Sequence, residues 1–170
     1  MLLIFGGLPG TGKSTIARLL AARLGAVWLR IDSIEQALIR AETVTRHDIG
    51  PAGYLAAYAI AADNLRLGNV VIADAVNPIA ITRQAWREVA TENAAPYLEI
   101  EVTCSDQTQH RDRVENRAAD IRGHILPDWQ QVITRDYEPW HSASLVLDTS
   151  VLSAEEAVER IVAHIESHRR

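Results

Sequence analysis

The chain holds one cysteine, Cys104, among its 170 residues. No disulfide can form within it, and a reducing compartment, the cytoplasm, is the expected location. That cysteine ends an apolar stretch and is expected to be buried and inert. No apolar run approaches the roughly 20 residues needed to cross a bilayer. No basic segment precedes the first apolar residues, so neither a membrane span nor a signal peptide is expected. Basic residues are not in excess: 17 Lys and Arg stand against 22 Asp and Glu, a formal charge of −5, with a pI near 5.7. This disfavours a long nucleic-acid groove, although a local basic patch is compatible with it. Internal repeats and low-complexity stretches are also missing. What remains is ordinary globular composition, 48% hydrophobic and 23% charged, in a chain of a size for one domain over residues 1–170.

Against that background one stretch stands out, Gly7-Leu8-Pro9-Gly10-Thr11-Gly12-Lys13-Ser14. It matches G-x-x-x-x-G-K-[ST], a phosphate-binding loop, a motif that needs a buried strand before it and a helix after it. Leu2-Leu3-Ile4-Phe5 is wholly apolar, as a parallel strand covered on both faces reads. After Ser14, Ile16, Leu19, Leu20 and Leu24 recur at helical spacing, and Gly25 is a stop signal. In such a loop Gly7, Leu8, Pro9, Gly10, Thr11, Gly12, Lys13, Ser14 and Thr15 wrap a triphosphate with inward backbone N–H groups and the positive end of the helix. Lys13 is expected to reach the β- and γ-phosphates, and the Ser14 hydroxyl to ligate Mg²⁺.

Val27 to Ile31 reads as a second strand delivering Asp32 at its C-terminal end, the edge of a sheet where ligands bind. There Asp32 can serve as general base toward a substrate hydroxyl; it, or Ser33 with Gln36, can also cap a helix from Ser33 to Glu42. Ile34, Ala37, Leu38 and Ala41 would form the apolar face of that helix. Thr43 to Gly50 is polar and reads as a rim over the substrate side, with Arg46 and His47 as possible contacts. Pro51 to Leu67 is an alanine-rich helix on which Tyr54 and Tyr58 are expected to pack. Asn69 to Asp74 is an apolar run ending in a carboxylate, the pattern of a strand whose Asp74 holds Mg²⁺. A helix over Ile79 to Asn93 follows, with Trp86 and Val89 on its apolar side, and then a strand from Tyr97 to Cys104.

Asp106 to Ala119 reads as a densely charged helix that puts Arg113 and Arg117 on one face, where two guanidinium groups can clamp a triphosphate; a solvated face is the bland alternative. With the loop around Gly123 and a second helix over Trp129 to Asp136, the region of about 106–136 reads as a lid. Leu145-Val146-Leu147 is the fifth strand, and Ser153 with Glu156 makes a capping box before the last helix. Strands alternating with helices make the fold α/β with a five-stranded parallel sheet.

With these residues placed, the whole chain resembles the small-kinase family of P-loop kinases that includes bacteriophage polynucleotide 5′-kinase, chloramphenicol phosphotransferase and the zeta toxins. The loop from Gly7 to Thr15, Asp32, the segment Val71-Ile72-Ala73-Asp74-Ala75-Val76-Asn77-Pro78 with Trp86, and Leu145 to Ser150 carry the resemblance. It implies a P-loop NTPase fold of three α/β/α layers, sheet order 2-3-1-4-5 with a helical lid, and ATP-dependent phosphorylation of a hydroxyl. Asp32 falls at the family's general-base position, and Arg113 and Arg117 look like its lid arginines, with Arg111 and Arg122 as alternatives. The chain departs from the pattern at Glu35, where polynucleotide kinases carry an arginine that serves the nucleic-acid phosphate. It also lacks the Asp-Gly-x-Pro-Arg of nucleoside monophosphate kinases, and no Asn-Lys-x-Asp occurs for a guanine site.

The expectation is therefore an ATP- and Mg²⁺-dependent phosphotransferase, monomeric or homodimeric, acting on a small-molecule hydroxyl with Lys13, Asp32, Arg113 and Arg117 as its catalytic residues. The alternatives are a nucleotide or nucleic-acid 5′-kinase and, in another class, a nucleotide-binding switch or ATPase module that works through a protein partner. The acceptor would lie against the rim from Arg40 to Tyr58, with Trp140 as a further candidate contact.

Overall fold

Residues alternate in and out of two cores along the first strand, and that alternation sets the layers. In the computed structural model, which describes residues 1–42 and 44–167, β1 (Leu2–Gly6) is wholly buried. Leu3 and Phe5 enter one hydrophobic cluster, and Leu2 and Ile4 the other, as the two-residue period of a strand requires. On the first side the helices are α1 (Lys13–Leu24) and α7 (Ala154–Ser167). On the second side lie α3 (Ala52–Arg66) and α4 (Ala80–Glu92).

The remaining strands are β2 (Val27–Arg30), β3 (Val71–Asp74), β4 (Tyr97–Thr103) and β5 (Leu145–Asp148). All pairings are parallel, in the order β2-β3-β1-β4-β5, the P-loop NTPase arrangement expected. The register sets Phe5 beside Asp74 and Asp74 beside Arg30. The ends of β1, β2 and β3 thus share one edge of the sheet. Three shorter helices complete the chain: α2 (Ile31–Arg40), α5 (Gln107–Asn116) and α6 (Trp129–Ile133). No described helix is long and apolar enough to cross a membrane.

Several boundaries differ from those read in the sequence. The second strand stops at Arg30, and α2 starts at Ile31, so Asp32 lies in the first turn of a helix rather than at a strand end. Arg30 is the N-cap and no side chain caps α2, which removes the capping role considered for Asp32, Ser33 and Gln36. Its buried residues are Ile31 and Gln36, while Ala37 and Ala41 are exposed. The early start on an edge strand turns the buried face from the one the spacing suggests. Thr43 lies outside the described residues. The charged helix ends at Asn116 rather than Ala119, and α6 spans five residues. The Ser153–Glu156 capping box is present: Glu156 N donates to Ser153 Oγ at 3.1 Å and Ser153 N to Glu156 Oε2 at 2.8 Å.

One buried amide ties the sheet to α4. Asn77 is fully buried with φ 47°. Its Nδ2 donates to Phe5 O at 2.6 Å, and its Oδ1 accepts from Trp86 Nε1 at 3.2 Å. Asparagine tolerates the left-handed backbone better than most residues. Asn77→Ala strands a buried carbonyl and a buried indole N–H and strains the backbone. The expected loss is about 2–4 kcal/mol, read as a lower urea midpoint with an unchanged m-value.

Candidate active site

Between β1 and α1 the backbone folds back over the strand end, and glycine makes the turn possible. Gly7 has φ 133°, and a Cβ there would lie 2.1 Å from Val102 O; Gly10 has φ 87°, and a Cβ there would lie 2.5 Å from Val114 Cγ2. Larger residues would face both a strained backbone and a collision. Thr11 Oγ1 donates to Leu8 O at 2.9 Å and Lys13 Nζ to the same oxygen at 3.2 Å. Gly12 is the N-cap of α1 and no side chain caps it. The first N–H groups and the positive end of the dipole therefore serve an anion.

Lys13, the chain's one lysine, is buried at this point. Burial lowers its pKa, and the carboxylates of Asp74 and Asp32 oppose that effect. Asp74 is buried too, which raises its pKa, against the pull of Lys13 and of hydrogen bonds from the Ser14 hydroxyl and the Trp28 indole. The Trp28 Nε1 to Asp74 Oδ2 distance is 3.2 Å. The Ser14 and Asp74 oxygens are thus adjacent, a hard oxygen pair of the kind Mg²⁺ takes from a protein.

Asp32 projects from the first turn of α2, its side chain 46% exposed, with His124 Nε2 4.0 Å from its Oδ2. One turn on, Glu35 lines the same cavity. Burial raises the Glu35 carboxyl and Asp32 adds to that effect, while Arg135 and Arg46 pull it down. Gly53 on α3 makes room for it: a Cβ there would lie 2.3 Å from Glu35 Cγ. Arg30 makes a fork to Asp120, Nη1 to Oδ2 at 2.6 Å and Nη2 to Oδ1 at 3.0 Å, and both residues line the cavity.

Arg113 and Arg117 both line the cavity, but they do not share a helical face. Arg113 is within α5 and donates to Thr149, Nη1 to Oγ1 at 2.8 Å and Nη2 to the carbonyl at 2.9 Å. Arg117 is the C-cap residue with extended backbone. Its Nε and that of Arg30 are, among the described residues, the buried side-chain nitrogens without a partner. Each such orphan costs of the order of 1–3 kcal/mol, and both side chains line this one cavity. Arg111 pairs with Glu115 at 2.8 Å and Arg122 is exposed; neither lines the cavity. On the rim, Arg46 lines it and His47 does not. Trp140 is buried in the second core, where a Cβ on Gly6 would lie 2.1 Å from its Cζ3, so it is not a rim residue.

Four site residues escaped the sequence reading. Arg135 lies beyond α6 and lines the cavity, close enough to act electrostatically on Lys13 and Glu35. Thr149 Oγ1 lies 2.8 Å from Thr11 O and 3.0 Å from Thr103 O, joining the end of β5 to the loop. Tyr54, expected only to pack, lines the cavity with its hydroxyl bonded by the Asn77 backbone; Tyr58 does pack, edge-on to Trp86 at 4.5 Å. His110 Nε2 lies 2.8 Å from Pro9 O, and its ring meets Trp129 edge-on at 5.2 Å. An isolated histidine, threonine or tyrosine on a helix or strand end carries no spacing that sets it apart from a packing residue.

Lys13, Ser14, Asp32, Glu35, Arg117 and Arg135 line one cavity of about 1350 Å³, and Asp74 sits behind its lining, bonded by Ser14. The cavity walls come from the glycine loop, α5 and the turn after β5, and from α2, α3 and the chain around His124. A family model, that of an AAA domain, matches residues 2–133. The chain belongs to this AAA domain family. The matched range holds the loop, Asp32, Asp74, Arg113 and Arg117, whereas Arg135 and Thr149 lie beyond it. No curated protein matches the chain. Among solved structures, this AAA domain protein is similar to a protein of Chloroflexus aurantiacus, 21% identical with TM-score 0.76, covering 98% of this chain and 96% of that one. It is also similar to the APS kinase of Mycobacterium tuberculosis solved with AMPPNP and APS, 19% identical with TM-score 0.67, covering 97% and 96%. A third is a gluconokinase of Sinorhizobium meliloti, 16% identical with TM-score 0.61, covering 99% and 97%. At these identities the likeness establishes a shared fold.

His110 supplies a test of how the loop is held. Burial lowers its pKa from 6.5, with the Pro9 carbonyl opposing. A base whose folded pKa is depressed binds fewer protons folded than unfolded, so stability is complete above the unfolded pKa of about 6.5 and falls as pH drops through it. His110→Gln keeps a donor for Pro9 and removes the titration. The urea midpoint of the wild type is expected to fall more steeply between about pH 7 and pH 5 than that of His110→Gln.

Proposed function

We propose that this protein is an ATP-dependent kinase that transfers the γ-phosphoryl group to a hydroxyl of a small molecule. The observation that carries the reading is the placement of Asp32. It stands across one cavity from a complete phosphate loop, partly exposed and near enough to act on the buried Lys13 ammonium. A nucleotide-binding module that only switches has no use for a half-exposed carboxylate at that point. The resemblance of the loop, Asp32 and the Asp74 to Pro78 segment to the polynucleotide 5′-kinase and chloramphenicol phosphotransferase group supports the same reading. So does the fold shared with proteins named APS kinase and gluconokinase.

In this reading the loop N–H groups and Lys13 hold the β- and γ-phosphates. Ser14 and Asp74 would hold Mg²⁺, and the ion when bound would supply charge neutralisation. Asp32 accepts the proton of the acceptor hydroxyl and aims its oxygen in line with the leaving group. Arg117, with an unpartnered Nε beside the cavity, offsets charge on the transferring group. Arg113 acts on the same phosphates from Thr149, to which it is bonded. The segment of about 106–136 closes as a lid over the two substrates and excludes water from the transfer.

Asp32→Asn keeps the shape of the side chain and loses its basicity and charge. Acceptor-dependent ADP release is expected to drop by ~10²-fold or more, with ATP affinity by calorimetry near that of the wild type. Unchanged turnover in this variant would return the site to a nucleotide-binding module. Lys13→Ala is expected to weaken Mg–ATP binding and to slow transfer by ~10³-fold or more. Comparable turnover in Lys13→Ala and the wild type counts against the kinase reading itself.

A further inference from the structure

The cavity carries charges of both signs that the protein pairs weakly or not at all: His124, at 4.0 Å, is the one ion-pair partner of Asp32 among the described residues. Asp32 and Glu35 are three residues apart on α2, so they lie on one face of that helix; both line the cavity. Glu35 is partly buried, yet among the described residues its carboxylate has no hydrogen bond and no ion pair. Arg46, from the loop after α2, and Arg135, after α6, line the same space. Both act on Glu35 electrostatically, but no ion pair within 4.0 Å joins either of them to it. Arg135 donates no side-chain hydrogen bond among the described residues, and Arg46 makes one long contact, 3.4 Å to Gly123 O. Two carboxylates and two guanidinium groups therefore line one cavity, with Asp32, Arg46 and Arg135 in electrostatic reach of Glu35.

This lining selects among ligand classes. A cationic amine suits the carboxylates but meets Arg46, Arg135 and Arg117. An anion without hydroxyls suits the guanidinium groups but is repelled by Asp32 and Glu35. A neutral polyol supplies donors for the carboxylates and leaves both guanidinium groups without a partner. A molecule with hydroxyls at one end and an anionic group at the other satisfies both sets, because carboxylates accept from hydroxyls and guanidinium groups fork onto oxyanions.

We propose that the phosphate acceptor is a polyhydroxylated anion, with its hydroxyls on Asp32 and Glu35 and its carboxylate or phosphate group on Arg46 and Arg135. This rests on the kinase reading of the same cavity. It also accounts for Glu35 at the position where polynucleotide kinases carry an arginine: here the guanidinium groups come from the rim and from beyond α6, farther from Asp32 along the chain.

The test separates binding from transfer. Calorimetry on the protein saturated with Mg–AMPPNP compares matched probes: glycerol, glycerate and glycerophosphate, and sorbitol, gluconate and sorbitol phosphate. At least one anionic probe is expected to bind about tenfold or more tightly than its neutral counterpart. Carboxylate and phosphate probes, compared with each other, identify which anion the site takes. That advantage is expected to vanish in Arg46→Gln/Arg135→Gln and to survive in large part in Arg46→Lys/Arg135→Lys, which keeps the charge. Neutral probes binding as tightly as anionic ones, no probe binding, or an advantage that persists in the double Gln variant overturns the proposal. ADP release from the same mixtures with ATP tests the other claim. An anionic probe that binds through Arg46 and Arg135 but elicits no ADP upholds the anion site and overturns the kinase reading.

Discussion

A buried ammonium must be balanced, and in this protein the balance is struck between Lys13 at the start of α1 and Asp74 at the end of β3. Both groups are buried, and each shifts the other toward its charged form against the cost of desolvation. The parallel register makes the meeting possible, because it brings Asp74 beside Phe5, one residue before the strand ends and the loop begins. A slip of one residue would turn Asp74 to the opposite face of the sheet. The alternation of Leu2 to Phe5 between two cores fixes that register. The hydrophobic pattern of β1 thus determines where the charge chemistry sits.

The segment after α6 is held to this framework by arginine acting on backbone. Arg83 is buried and donates to the carbonyls of Asn77, Pro78, Glu138 and Pro139 at 2.6–3.1 Å. Its guanidinium carbon also lies 4.7 Å from the Trp140 ring centroid and 5.2 Å from that of Tyr137. A planar group with five donors and a stacking face can satisfy several carbonyls and two rings together; an ammonium cannot. The result is a rigid anchor between the turn after β3 and the chain leading to β5. Arg135 precedes that anchor by a few residues and reaches the cavity from it.

What was legible in the sequence follows from the range of the forces involved. The loop and the five strands could be read because Gly7, Gly10 and Lys13 sit at fixed spacing and the apolar runs are local, whereas the strand order came only from the family resemblance. Asp32 could be placed at the sheet edge but not in its helical turn, since whether Ile31 closes a strand or opens a helix depends on packing at the edge of the sheet. The pairing of Arg113 and Arg117 was read from helical spacing. The helix stops at Asn116, however, and Arg113 turns to Thr149, a partner 36 residues away. Arg135 was invisible for the same reason: nothing near it in the chain distinguishes it from a solvated arginine. Trp140, a candidate acceptor contact by sequence, is buried instead, because the absence of a side chain on Gly6 leaves it a seat.

The overall charge of −5 is unfavourable to a polyanionic nucleotide, and the cavity shows why this does not decide the matter. Exposed charges farther than a Debye length, about 8–10 Å, are screened. At Lys13, the charges of Arg117 and Arg135 act beside the carboxylates of Asp32 and Asp74, and in the proposed function those two carboxylates serve proton transfer and the metal. Lys13 is the one lysine among 17 Lys and Arg residues. In the proposed function a compact ammonium on a flexible stem suits the one position where a point charge follows phosphate oxygens from a buried start. Elsewhere the chain uses arginine, which stays charged when half-buried and keeps its fork geometry. Affinity and selectivity therefore depend on where sixteen arginines and one lysine stand, which net charge does not reveal.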